Sequence, residues 1–254
     1  MKHVLLMVLW VCYAPAVWSQ TLEVRADPWC PYTCDDESEK KGYMIELLKT
    51  IFEPQGLKVS YSNLSWKRAL DSTRKGRYNA VVGAFRSDAP DFVFPESHAG
   101  ISRNFFYALP KSTWQYTGPK SLQGQTVGII RGYTYGDDID ELLKDPEKKR
   151  FAQLFYGNNA LDDMIESVRD RRIMAFIDDT NVVAYSLAQK FPKLKLRKVG
   201  QLEEEKVFVA FSPAIKESKR YAQMFDEGMK NIRKKGELAK ILSRYNLEDW
   251  KKAK

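Results

Sequence analysis

Apolar and polar residues alternate over 22–26, the period-two pattern of a half-buried strand. A stretch rich in Pro, Cys and acidic residues follows over 27–41. Gly42 then introduces a segment with apolar residues at 44, 47, 48, 51 and 52, which is helical spacing, and Pro54 and Gly56 stop it. The pattern predicts a strand over 57–61, a helix over 65–75 ending at Gly76, and an apolar strand over 79–85. Such a βαβαβ order predicts a parallel sheet with helical crossovers. Ligands of such sheets sit beyond the carboxyl ends of the strands, here 27–32, 63–66 and 83–88.

The alternation then recurs with different residues. Strands are expected over 126–130, 152–156 and 173–177, with a turn over 131–136 that feeds a helix and another helix over 160–170. Two such sets in one chain of 254 residues predict two lobes with facing strand ends. Helical spacing returns over 218–235, Gly236 breaks it, and a short helix follows over 237–245.

Composition places the chain among ordinary globular proteins, 44% hydrophobic and 29% charged. Residues 1–19 fall outside that fold. Lys2 and His3 precede an apolar run over 4–11, and Val17 and Ser19 suit a cut before Gln20, so 1–19 reads as a cleavable signal peptide leading to the periplasm. Val11, ahead of Cys12, is not the small residue a lipoprotein signal would place there. Net charge is +8, and +7 once Lys2 is removed, but the basic residues are scattered. Dispersal and export argue against nucleic acid as a partner. Export leaves Cys30 and Cys34, for which an oxidising compartment favours a disulfide shaping the turn between them. Two cysteines and His98 cannot fill a closed zinc shell, so no metal is expected.

The order and spacing of several short motifs resemble the bacterial extracellular solute-binding proteins of family 3, of which many bind polar amino acids for ABC transporters. The motifs are the Gly-Tyr-Met-Ile-Glu-Leu run opening at Gly42, Trp-Lys-Arg-Ala-Leu at Trp66, and Gly-Arg-Tyr-Asn-Ala at Gly76. Val-Gly-Ile-Ile-Arg-Gly-Tyr at Val127, Ala-Phe-Ile-Asp-Asp at Ala175 and the tail around Gly236 complete the set. The resemblance implies an α/β, two-lobed periplasmic-binding-protein type II fold, each lobe a mainly parallel sheet flanked by helices. Lobe 1 would be discontinuous, 20–107 plus 210–254, and lobe 2 would span 108–209. Two hinge strands would lie near 105–109 and 207–211. One departure weighs against an ordinary α-amino acid as ligand. The family's Thr-x-x-Arg element is shortened here, with Arg86 nearby and Pro90 where the arginine is expected.

A cleft for a zwitterion needs an anion anchor, a cation anchor and apolar walls. Arg86 at a strand end, and Arg131 with the free N–H groups of Gly132 to Thr134, are the candidate carboxylate anchors. Arg86 could equally serve in an ion pair with Asp88 or Asp91. The resemblance places an ammonium-binding aspartate at Asp179, which leaves Asp178 a structural role. Trp29, Tyr32, Trp66, Phe85 and Tyr133 are candidate aromatic walls, with Thr134 beside them. No catalytic residue and no cofactor are expected: His98 is the single histidine left after export, and neither a nucleophile elbow nor a phosphate loop is present. The resulting expectation is a monomer that binds a small polar solute, an amino acid or a related amine or carboxylate, and presents it to a membrane permease of the ABC type. Alternatives are a periplasmic partner of a membrane sensor protein, and a cyclohexadienyl-dehydratase-like enzyme using Glu46 or Asp179.

Overall fold

The computed structural model describes residues 20–251, so the signal peptide expected over 1–19 lies outside the described residues. The first lobe is built on strands β1 (Gln20–Ala26), β2 (Leu57–Asn63), β3 (Ala80–Ala84), β4 (Gly100–Ser102) and β10 (Glu205–Phe211). They lie in the order β2-β1-β3-β10-β4. β1 runs parallel to both β2 and β3, while β10 is antiparallel to β3 and β4. The second lobe repeats the plan with β5 (Asn104–Ala108), β6 (Val127–Ile130), β7 (Ala152–Phe155), β8 (Ala175–Asp179) and β9 (Arg197–Gln201). Their order is β7-β6-β8-β5-β9, with β5 antiparallel to β8 and β9. Both sheets are therefore mixed: a parallel three-stranded core extended by two antiparallel strands.

The helices arise where the sequence periodicity places them. α1 (Tyr43–Phe52) buries Met44, Leu47, Leu48, Ile51 and Phe52. It packs against α6 (Ser218–Lys234) and α7 (Glu237–Ser243), so the chain's last helices complete the first lobe. α2 (Trp66–Arg74) buries Ala69 and Leu70 against β1 and β3. In the second lobe α3 (Asp137–Lys144), α4 (Ala160–Arg169) and α5 (Thr180–Lys190) flank the sheet. Phe106, Ile129 and Ile177 pack on one face of that sheet, and Met164, Ile165 and Phe176 on the other.

The chain crosses between lobes at Arg103, between β4 and β5, and returns over 202–204, between β9 and β10. Both crossings come earlier than expected. The apolar runs 105–109 and 207–211 are not a hinge pair: β5 is a central strand of the second lobe and β10 of the first. Their apolarity reflects two-sided burial within separate sheets, and the crossings are short and mostly polar. Arg103 Nε donates to Glu204 Oε1 at 2.5 Å and joins the outgoing crossing to the returning one.

The 27–42 loop is fixed at both ends. A disulfide joins Cys30 and Cys34. Gly42 (φ +101°) lets the loop lie on the start of α1, since a Cβ there would sit 2.4 Å from the Tyr32 carbonyl oxygen. Among the described residues no helix is long and apolar enough to cross a membrane.

Candidate functional site

The carboxyl ends of β1, β3, β6 and β8 face one another across the two lobes and enclose a cavity of about 30 Å³, room for a water molecule or two. Trp29, Trp66, Phe85 and Tyr133 supply its apolar surfaces, and Gly83, Asn104 and Thr134 lie between them. Three carboxylates complete the lining: Asp27 after β1, Asp88 after β3 and Asp178 in β8. Among the described residues no Lys or Arg lines it.

Each aspartate is tied across the cleft. Tyr133 Oη donates to Asp27 Oδ2 at 2.6 Å, and Thr134 Oγ1 donates to Asp88 Oδ1 at 2.8 Å. Trp29 Nε1 donates to Asp178 Oδ1 at 3.3 Å. The Phe85 N–H also donates to Asp88, and the Asp179 N–H to Asp178 Oδ1. Asp178 Oδ2 is buried and has no partner among the described residues, in a residue only 3% exposed. An orphaned carboxylate oxygen in such a place is costly to keep without an occupant.

Burial dominates the acid–base character of the cluster, because a charged group loses hydration inside the closed cleft. It pushes Asp178 up to about 7, against the hydrogen bonds from the Asp179 N–H and Trp29. Asp27 and Asp88 rise to about 6 for the same reason, opposed by their bonds to Tyr133, and to Phe85 and Thr134. Glu205, at the start of β10, is pushed up to about 7 by burial, with the charges of Asp88, Asp140 and Asp137 adding to it.

The structure distributes the expected site residues unevenly. Trp29, Trp66, Phe85, Tyr133 and Thr134 line the cavity. Tyr32 stands behind Trp29, its ring stacked at 4.1 Å, and its hydroxyl accepts from Asn181 Nδ2 in the second lobe. Arg86 turns away from the cavity: its guanidinium lies over the rings of Phe94 and Phe208 and donates to the Pro95 carbonyl. Neither Asp88 nor Asp91 is its partner; Arg74 holds Asp91. Arg131 sits at the mouth, in a groove shared with Asp27, Trp66 and Tyr156.

Asp178, and not Asp179, lines the cavity. Asp179 caps α5, with Oδ1 accepting from the N–H groups of Asn181 and Val182. Its Oδ2 accepts from Ser102 Oγ and the Arg103 N–H, so both oxygens are committed. β8 runs on to Asp179 instead of ending at 177, and alternation along the strand then directs Asp178 into the cavity. Neither Asp27 nor Asp88 is among the residues expected to bind ligand, although both fall within the strand ends 27–32 and 83–88.

Among the described residues no group of three or more His, Cys, Asp or Glu side chains is placed to hold a metal ion. Glu46 lies away from the cavity and accepts from Tyr245 Oη and Arg244.

A family model described as bacterial extracellular solute-binding proteins, family 3, matches residues 22–248. No curated protein matches the chain. Many solved structures share the fold. One is a histidine kinase sensor domain with similarity to periplasmic binding proteins, 20% identical, covering 90% of this chain and 98% of its own, with a TM-score of 0.74. A second is an ancestral arginine-binding protein bound to arginine, 18% identical over 89% of this chain and 97% of its own, TM-score 0.73. A third is a putative L-cystine ABC transporter protein from Listeria monocytogenes, 19% identical over 91% of this chain and 98% of its own, TM-score 0.73.

Proposed function

The chain belongs to the bacterial extracellular solute-binding proteins, family 3, and from that premise we propose that it captures a small polar solute between its lobes by hinge closure and presents the closed form to an ABC-type importer. The observation that carries this reading is the set of side-chain hydrogen bonds across the cleft, Tyr133 to Asp27, Thr134 to Asp88 and Trp29 to Asp178. Each joins the two lobes through a group that lines the cavity. A solute bound there touches both lobes at once and shifts the open–closed balance by its differential affinity for the two forms. Export to the periplasm through a cleavable signal peptide and action as a monomer belong to the same proposal.

A second reading shares the capture step and changes the recipient. The fold of a histidine kinase sensor domain superposes on nearly the whole chain, which favours a membrane sensor protein as an alternative partner. We read the cleft as non-enzymatic. His98 lies outside the cavity, with Nδ1 against the Gly100 carbonyl and its ring against Phe208 and Trp250. Cys30 and Cys34 are joined to each other.

A thermal-shift screen against amino acids, amines, dipeptides and carboxylates tests the reading, because a true ligand stabilises the folded form by mass action. The ligand that raises Tm should also contract the protein in small-angle X-ray scattering. No shift with any solute, together with turnover of a prephenate-like acid, would overturn it.

A further inference from the structure

Within this solute-binding reading, on which the inference rests, we infer that the cleft selects an organic cation lacking a carboxylate: an amine, amidine or guanidine. The cavity brings together Asp27, Asp88 and Asp178, one from each of three strand ends. Among the described residues none of the three has a Lys or Arg partner within 4 Å; the ion pairs nearest in sequence, Arg25 with Glu23, Arg74 with Asp91 and Arg172 with Asp170, lie elsewhere. Asp178 Oδ2 is the group that points to an occupant. It is buried, lacks any donor and lines the cavity. An ammonium or guanidinium N–H would satisfy it with a charge-assisted hydrogen bond. The donor set does not suit a metal ion, since the carboxylates are not placed to share one.

The walls agree with the charge. Trp29, Trp66 and Tyr133 border the same space, and aromatic rings attract cations most strongly where water is excluded. A ligand carboxylate would meet three like charges and no anchor. Arg86, the residue expected to provide one, is committed to Phe94, Phe208 and Pro95. Arg131 lies out at the mouth. Selectivity thus has a repulsive element as well as an attractive one. The chain as a whole carries +8, so the acidic cleft is a local arrangement and not a reflection of overall charge.

The test uses amino acids paired with their decarboxylated counterparts. Calorimetric titration and thermal shift of the purified protein, in phosphate at pH 8 because Tris is itself an amine, compare arginine with agmatine, lysine with cadaverine, and histidine with histamine. Succinate and glucose form a third set. The expected result is that at least one amine binds about 10-fold or more tightly than its parent amino acid, whose carboxylate meets the acidic lining without an anchor. Asp178→Asn should weaken that binding by a similar factor, while Asp170→Asn, at an exposed site, should not. Parent amino acids binding as tightly as the amines, or binding confined to succinate or glucose, would overturn the inference and leave solute capture standing. No shift with any member of the three sets would overturn both.

Discussion

Replacing Asp178 by Asn removes the charge from the cleft and keeps the side chain's shape. Burial raises the Asp178 carboxyl from 3.8 to about 7. A shift of that size corresponds to about 4 kcal/mol against the ionised form relative to a hydrated carboxyl, the upper limit of what opening relieves. The Asn carbonyl can still accept from Trp29 and the Asp179 N–H. Its amide NH2 would take the place of the orphaned Oδ2, and an unpaired buried donor costs about 1–3 kcal/mol. The net expectation at pH 8 is a ligand-free closed form favoured by about 1–3 kcal/mol over the parent, a 5- to 150-fold change in the open–closed ratio. The direction with pH follows from the raised value. Between pH 4 and 7 the closed form binds a proton that the open or unfolded chain gives up, so closure is favoured at low pH and weakens as pH rises through 7. The neighbouring charges, Asp27 and Asp179, act in the same direction. The radius of gyration of parent and variant should therefore differ at pH 8 and converge by pH 5, and Tm should follow. A variant that is no more compact than the parent at pH 8, or a gap that persists at pH 5, would refute the reasoning.

Four further outcomes are expected. Affinity for a cationic ligand should fall as pH is lowered from 8 to 5.5, because Asp178, Asp27 and Asp88 take up protons at about 7, 6 and 6; calorimetry across that range checks it. Tyr133→Phe deletes the donor to Asp27 and should shift the ligand-free protein toward the open form by about 1.5–3 kcal/mol, read by scattering. Gly42→Ala places a Cβ 2.4 Å from the Tyr32 carbonyl at a φ of +101°, and should lower urea-unfolding stability by about 2 kcal/mol or more. Reduction of the Cys30–Cys34 bond should weaken ligand binding more than it lowers Tm, because the bond constrains the loop that carries Trp29.

Most of the architecture was legible in the hydrophobic pattern. β1, α1 and α6 bury periodic sets of apolar side chains, β3 and β6 are short continuous apolar runs, and each forms within a residue or two of its expected place. β9 escaped notice because Lys198 and Gln201 are exposed, Arg197 is a half-buried cation, and Val199 alone of its side chains is a buried apolar one. β4 has three residues, too few for a period to show. The site was readable to the level of strand ends but not of side-chain direction. Which of two adjacent aspartates enters the cavity depends on whether β8 stops at 177 or continues to 179, and pairing of Asn104 with Asp179 decides that. Arg86 lies one residue past Phe85 at the end of the same strand, and there the backbone turn carries its guanidinium to the aromatic pair outside. Such long-range contacts leave no mark in local periodicity.

The capping aspartate has a mechanical consequence. Asp179 holds the N-terminus of α5 and, through its other oxygen, Ser102 and the Arg103 backbone, while the Arg103 carbonyl accepts from the Thr180 N–H. Arg103 in turn grips Glu204 on the returning crossing. The two connections between the lobes are thereby fastened to each other and to one helix end, which makes them a common axle. Hinge closure about such an axle would be confined to rotation, with little sideways slip. Trp29, Asp27 and Asp88 would then meet Asp178, Tyr133 and Thr134 in the same register each time the lobes swing together.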